Sequence, residues 1–324
     1  MRFLVCGLGS MGKRRIRLLK QIDECDSIVG FDINQERCDT VAKEYGIKCF
    51  NDLESIDTNL YDAVVVSTHP LAHGEIIESQ LTKKKHVFTE INLIDDWYDK
   101  CLELAKKNNV KLFISSTLNY RNDIRYISDL VHGSKKKSLY SYHVGQYLPD
   151  WHPWESYKNF FVSDKRTNGC REILAIDLPW IYRVFGDIEE ISVNHSKISS
   201  LELNYDDSYA ILLKHFNGNI GTIIIDIVSR KATRTLEVIN EDFHINWDGK
   251  PDSLKVYDIE AKEQRSIQTY SNVDKDKNYS ANIIENAYKD ELLAFIDYIK
   301  TNKKPLYDFN EDKRIISLID RIER

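Results

Sequence analysis

The 324-residue chain has no apolar run near the roughly 20 residues that a membrane-spanning helix needs. Runs such as Ala63-Val64-Val65-Val66 have the length of a strand. Proline is scarce, at 6 residues, and glycine modest, at 13, while 42% of the chain is hydrophobic. That balance excludes collagen-like repeats and predicts a sizeable buried core rather than disorder. The six cysteines are scattered without a C-x-x-C spacing, which argues against a zinc ribbon or a redox pair. The first residues enter a glycine-rich turn too early for a secretion signal, so the expectation is reduced thiols in the cytoplasm. Positive charge is not in excess. The 45 basic and 51 acidic side chains leave a net charge of -6, a poor match for nucleic acid or an anionic membrane. The triplets Lys83-Lys84-Lys85 and Lys135-Lys136-Lys137 read as solvated turns.

In the first third, strand-length and helix-length patterns alternate. Strands are expected at residues 2–6, 27–31, 63–67, 86–89 and 110–115, with helices at 13–22, 34–45, 71–81 and 97–107. This alternation predicts an α/β fold with a doubly wound parallel sheet, a Rossmann domain over residues 1–118. Past Asn119 the pattern changes. A helix (123–131), a strand (139–147), a long irregular stretch (148–168) and another helix (172–185) are followed by successive strands joined by turns. The tail is helical. Residues 119–324 therefore read as a substrate-binding and oligomerisation α+β domain with an open, mainly antiparallel sheet. In the strand 220–228 both alternate sets are largely apolar. One set packs on helices, and the other needs a subunit partner or the C-terminal helices as its cover.

Gly7-Leu8-Gly9-Ser10-Met11-Gly12 fits G-x-G-x-x-G between a strand and a helix, and Asp32 ends the next strand 20 residues after Gly12. The first glycine permits the tight turn, the second lets the backbone approach a pyrophosphate, and the third lets the helix pack on the strand. The helix N-terminus favours the phosphates. Asp32 accepts hydrogen bonds from ribose hydroxyls and repels a 2′-phosphate, so NAD is expected over NADP. Arg14, Arg15 and Arg37 lie close enough in sequence to oppose that preference.

Three further segments carry a resemblance: Val64 to Pro70 with His73, Lys85-His86-Val87-Phe88-Thr89-Glu90, and Ser115 to Arg121. With the glycine motif they resemble the Gfo/Idh/MocA oxidoreductases, along the whole chain. The resemblance implies a Rossmann domain, a second domain with an open sheet for substrate and subunit contacts, and cofactor contacts from Ser67, Thr68, His69, His73, Glu90, Asn92 and Asn119. Two departures stand out. Where the family has Glu-Lys-Pro, this chain has Glu90-Ile91-Asn92, and isoleucine can neither polarise an oxygen nor relay its proton. The family's catalytic histidine has no counterpart in Asn168 to Asp177, where Glu172 and Asp177 are the only acids.

Replacement groups are sought in the loop Tyr147 to Glu155. Histidine has an ordinary pKa near 6.5, so His152 is a candidate acid/base, oriented by Asp150 or Glu155. Trp151 and Trp154 suit an apolar sugar face, Glu155 the same site, and Arg171 a substrate carboxylate or phosphate. A rigid aromatic loop without chemistry is the alternative. Glu90 serves either as a structural hydrogen-bonder or as a proton carrier, and Asn119 and Arg121 serve either the ligands or the hinge. No His, Asp and Glu set has metal-ligand spacing. The expected function is an NAD-dependent oxidoreductase that transfers hydride at a sugar or sugar-derived hydroxyl or carbonyl, as a homodimer or homotetramer built through the C-terminal sheet. A redox-silent dinucleotide-binding regulator and an NAD-dependent glycosidase are the alternatives.

Overall fold

The computed structural model describes residues 1–152, 155–275 and 283–324. It divides into two compact units, residues 1–117 with 288–313, and residues 118–287 with 314–324.

The first unit holds β1 (Arg2–Cys6), α1 (Ser10–Leu19), β2 (Ser27–Phe31), α2 (Gln35–Tyr45), β3 (Lys48–Phe50), β4 (Ala63–Val66), α3 (His73–Thr82), β5 (His86–Thr89), α4 (Tyr98–Asn108) and β6 (Leu112–Ile114). The sheet is wholly parallel, in the order β3-β2-β1-β4-β5-β6. Its central strands are apolar on both faces because helices cover both faces, and all four residues of β4 are buried. The direction of winding reverses between β1 and β4, the point where such sheets bind ligands beyond their carboxyl ends. The capping chemistry is local. Asn34 accepts the Arg37 backbone N–H at the start of α2, and Gly46 takes the left-handed conformation at its end.

The chain is not divided by a single cut after residue 118, because residues 288–313 return to the first unit. The reason is apolar and electrostatic. Phe295 meets the rings of Phe88 and Phe113 at 5.7 and 5.6 Å, and Glu291 is ion-paired with Arg15.

The second unit contains α5 (Asn122–Gly133), β7 (Leu139–Gly145), α6 (Gly169–Phe185), β8 (Ile188–Ser196), β9 (Ser208–His215), β10 (Ile220–Asp226), β11 (Thr233–Ile239), β12 (His244–Trp247), β13 (Lys255–Asp258) and β14 (Glu263–Ser266). Helices α7 (Glu285–Thr301) and α8 (Phe309–Ile322) follow. The sheet order is β14-β13-β12-β11-β7-β10-β9-β8, antiparallel except where β10 runs parallel to β7. The short edge strands β3 and β14 escape sequence reading, since three or four residues carry no usable alternation. The described residues of the irregular stretch 148–168 contain four 3₁₀ turns.

Alternation decides the core of this sheet. Tyr140, Tyr142, Ile211, Leu213, Ile223, Ile225 and Val238 are buried. Gly221 is required there: a Cβ would sit 1.9 Å from the Tyr140 ring, which stacks on Phe185 at 3.8 Å. The opposite face keeps Leu139, Leu212, Ile220, Ile224 and Ile239 exposed, at 40–52%. Among the described residues of the second unit, nothing covers this second face.

Candidate functional site

The glycine-rich turn is built for close approach. Gly7 has φ +90°, and a Cβ on it would lie 2.5 Å from the Ser67 carbonyl oxygen, so a side chain is excluded on conformation and on space. A Cβ on Gly12 would lie 1.8 Å from the Gly7 oxygen, which lets α1 start directly against β1. Gly9 differs, because a Cβ there would meet nothing within 4 Å. The turn thus opens on free space at the N-terminus of α1, where backbone N–H groups and the helix dipole favour an anion. These are the features a dinucleotide's pyrophosphate needs, and they fit NAD.

Asp32, directly after β2, is 5% exposed. Its Oδ2 accepts the Leu8 N–H at 2.8 Å and its Oδ1 accepts the Asn34 N–H at 2.9 Å. The carboxylate is thereby held beside the glycine turn, with further lone pairs available for a diol. Of the three arginines set against the NAD preference, Arg15 is fully buried and Arg14 is 2% exposed. Arg37 is the one near Asp32, 3.7 Å away on an exposed side chain.

Beyond the switch point, several of the residues expected to contact the cofactor cluster at the strand ends. The Ser67 hydroxyl donates to Glu90 Oε1 at 3.3 Å. His73 is buried, with Nδ1 2.7 Å from Asn92 Oδ1 and Nε2 3.0 Å from the Thr68 oxygen. Burial pushes its pKa down. Its ring therefore braces the Thr68 and Asn92 backbone segments. His69 accepts the Leu71 N–H and caps the turn that precedes α3. Ser10 and Met11 occupy the first turn of α1, where Met11 Sδ lies 2.9 Å from an Arg14 nitrogen. Ile91 is half-buried between Glu90 and Asn92.

Sequence reading missed the residues that hold Glu90. The Arg15 guanidinium grips it through Nε at 2.6 Å and NH2 at 3.0 Å, and reaches Glu291 at 2.8 Å. Arg15 and Glu291 lie 276 positions apart, so no local pattern announces the pair.

In the second unit, Glu172 sits in the first turn of α6. Its Oε2 is sealed from solvent without a hydrogen-bond partner, and burial pushes the carboxyl up to about 8. Asp177, one and a half turns later, is wholly buried and differently used. Its Oδ1 accepts from the Tyr142 hydroxyl at 2.6 Å, from the Trp180 indole at 2.9 Å and from Arg234. Arg171 donates to Asp320 at 2.8 Å and to Glu323 at 2.5 Å, so its guanidinium is committed to carboxylates of α8 and the residue after it. The substrate role expected of Arg171 has no support from these contacts. His152 and Glu155 are brought together, with Nδ1 2.7 Å from Oε1, and the imidazole packs on Phe160. The Trp151 indole donates to the Gln146 oxygen at 3.1 Å. Trp154 lies outside the described residues. Asn119 is buried in the turn Thr117–Tyr120. Among the described residues, no group of three or more His, Cys, Asp or Glu is placed to hold a metal, and no helix is long and apolar enough to cross a membrane.

Residues 1–116 match the model of an oxidoreductase family with an NAD-binding Rossmann fold, that of Gfo/Idh/MocA. Along its length the chain is similar to myo-inositol 2-dehydrogenase of Thermotoga maritima, at 23% identity over 98% of this chain and 94% of that protein. Two solved structures share the fold. One is an Agrobacterium radiobacter oxidoreductase in complex with NAD⁺, L-tartaric acid and magnesium (TM-score 0.80, 12% identity, 99% of this chain and 94% of that one). The other is UDP-N-acetylglucosamine 3-dehydrogenase of Acidithiobacillus ferrooxidans (TM-score 0.79, 16% identity, 99% and 96%).

Proposed function

We propose that this chain is a dehydrogenase of the Gfo/Idh/MocA family of NAD-binding oxidoreductases, whose model residues 1–116 match, and that it acts on a sugar or sugar-derived hydroxyl or carbonyl. The substrate class is supported by the relatives, of which the Thermotoga protein is named for a cyclic polyol and the Acidithiobacillus protein for a nucleotide sugar. When bound, NAD supplies the acceptor or donor of hydride. The chain's own task is to hold the dinucleotide along the glycine turn and Asp32, to seat the substrate, and to move the hydroxyl proton.

Glu172 is the proton carrier in this reading. The observation that carries the assignment is its sealed, partnerless Oε2 on a carboxyl pushed up to about 8. An acid/base works best when its pKa lies near the working pH, and no protein donor competes for this oxygen. Asp177 also has a sealed, unpartnered oxygen, Oδ2, but fits the role less well, because three donors converge on its Oδ1. His152, steadied by Glu155, is the second candidate, and Trp151 is proposed to line the sugar face. The exposed apolar face of the second sheet supports assembly as a homodimer or homotetramer.

The test is NADH formation across a panel of inositols, aldoses, sugar acids and nucleotide sugars, followed by Glu172→Gln on the substrate found. Loss of a general base typically costs about 10²–10⁴-fold in rate, and NAD binding should be unchanged. A Glu172→Gln enzyme with full turnover would transfer the role to His152. Absence of any turnover across the panel would remove the sugar assignment.

A further inference from the structure

One guanidinium ties together the carboxyl ends of three successive strands in the first unit. Arg15 reaches from α1 and makes a two-pronged contact with Glu90, the residue after β5. Ser67, the residue after β4, donates to the same Glu90 oxygen. The third contact is to Glu291 of α7, whose carboxylate in turn accepts the Ser116 N–H at 2.5 Å and the hydroxyls of Ser115 and Thr117 at 3.1 Å, just past β6. The Tyr288 carbonyl takes the remaining prong at 3.1 Å, and the rings of Phe88 and Tyr288 lie 4.5 and 5.3 Å from the guanidinium carbon.

Two facts mark this group as more than packing. First, three ionisable side chains are buried where apolar residues of similar volume would fill the space without the desolvation cost, so stability alone is a weak reason for them. Second, the burial is uneven. The Arg15 and Glu291 side chains are 0% exposed, whereas the Glu90 side chain keeps 11%. Glu90 is the member with an open edge, and the other two are sealed behind it. In a doubly wound sheet the cofactor lies off the carboxyl ends of the strands, across the switch point. Asp32 marks the adenosine side at β2, so the ends of β4, β5 and β6 belong to the nicotinamide side.

We propose that Arg15 and Glu291 are positioning residues for the nicotinamide half of the cofactor: they clamp the Glu90 carboxylate and the ends of β4 to β6 in one arrangement before NAD binds. A lysine at position 15 keeps the charge but lacks the planar fork, so it cannot hold both Glu90 oxygens and Glu291 together. The inference rests on NAD binding and is independent of the substrate.

The experiment compares NADH, followed by its fluorescence, with ADP, followed by calorimetry, on wild type, Arg15→Lys, Glu90→Gln and the double variant. ADP lacks the nicotinamide and its ribose, and so reports the adenosine side alone. Arg15→Lys should weaken NADH about tenfold, equivalent to about 1.4 kcal/mol, and leave ADP within about twofold. The double variant should be no weaker than Glu90→Gln alone, because both changes remove one coupled contact. An equal fall for NADH and ADP would assign Arg15 to general stability of α1. Unchanged NADH binding, or fully additive losses, would equally overturn the proposal. If Arg15→Lys does not fold, Glu291→Gln, which preserves volume, carries the same comparison.

Discussion

Replacing Glu172 by glutamine should make this protein more stable and less active, and the gain should grow with pH. The side chain sits in the first turn of α6 with its Oε2 sealed and unpartnered, and burial raises the carboxyl from 4.5 to about 8. A carboxyl raised in the folded state binds more protons folded than unfolded. Its contribution is therefore fully present below pH 4.5 and is lost as pH rises through about 8. At about 1.36 kcal/mol per pH unit, the wild type gives up about 1 kcal/mol by pH 5 and at most about 4 kcal/mol by pH 8. Glutamine has nearly the same shape and never ionises, so it escapes this loss. The residue as a whole is only half-buried, and water beside it trims the penalty, which sets the expected gain at about 2–4 kcal/mol at pH 8. Denaturant unfolding of both proteins at pH 5, 6.5 and 8 measures it as a rising difference in midpoint at constant slope. A difference that is flat in pH, or a less stable variant at pH 8, would refute the reasoning. Either result would mean that Glu172 is solvated or partnered in solution, and the acid/base role would lose its basis.

Three other outcomes are expected. Asp32→Ala should weaken NAD by tenfold or more, since hydrogen bonds to a charged group contribute about 1.5–3 kcal/mol each, and should narrow the gap to NADP, whose phosphate would then meet Arg37. Calorimetry with both cofactors checks it, and an unchanged NAD to NADP ratio would place the discrimination elsewhere. Asp312, buried against the Tyr98 and Tyr307 hydroxyls, has its carboxyl pushed up to about 7 by burial, so its stabilisation is present at acidic pH and is lost as pH rises toward 7. Asp312→Asn should remove up to about 1.4 kcal/mol per pH unit from the slope of stability between pH 4 and 7, read by thermal unfolding across that range. Ile224→Arg, on the exposed sheet face, should shift the species seen by light scattering toward the monomer without altering NAD affinity; an unchanged mass would remove that face from assembly.

The order of elements and the dinucleotide cradle are legible in the sequence because both depend on near neighbours. The alternation of apolar strands with capped helices requires a parallel sheet covered on two sides. The spacing of Gly7, Gly9, Gly12 and Asp32 carries the turn, the close approach and the diol acceptor within a single βαβ segment. Tertiary structure decided what depends on partners far along the chain. Arg15 looks like one more cation near the phosphate site, yet a carboxylate 276 positions away draws it inward with Glu90. Arg171 reads as a free anion-binding side chain until Asp320 and Glu323 meet it. Glu172 and Asp177 are both acids on one helix in the sequence. Only folding separates them: each keeps one sealed oxygen without a partner, but three donors converge on the other oxygen of Asp177, while burial alone pushes Glu172 up. The physical reason is common to all three cases. A buried charge takes its state from the groups that replace water around it, and those groups are chosen by the fold rather than by adjacent residues.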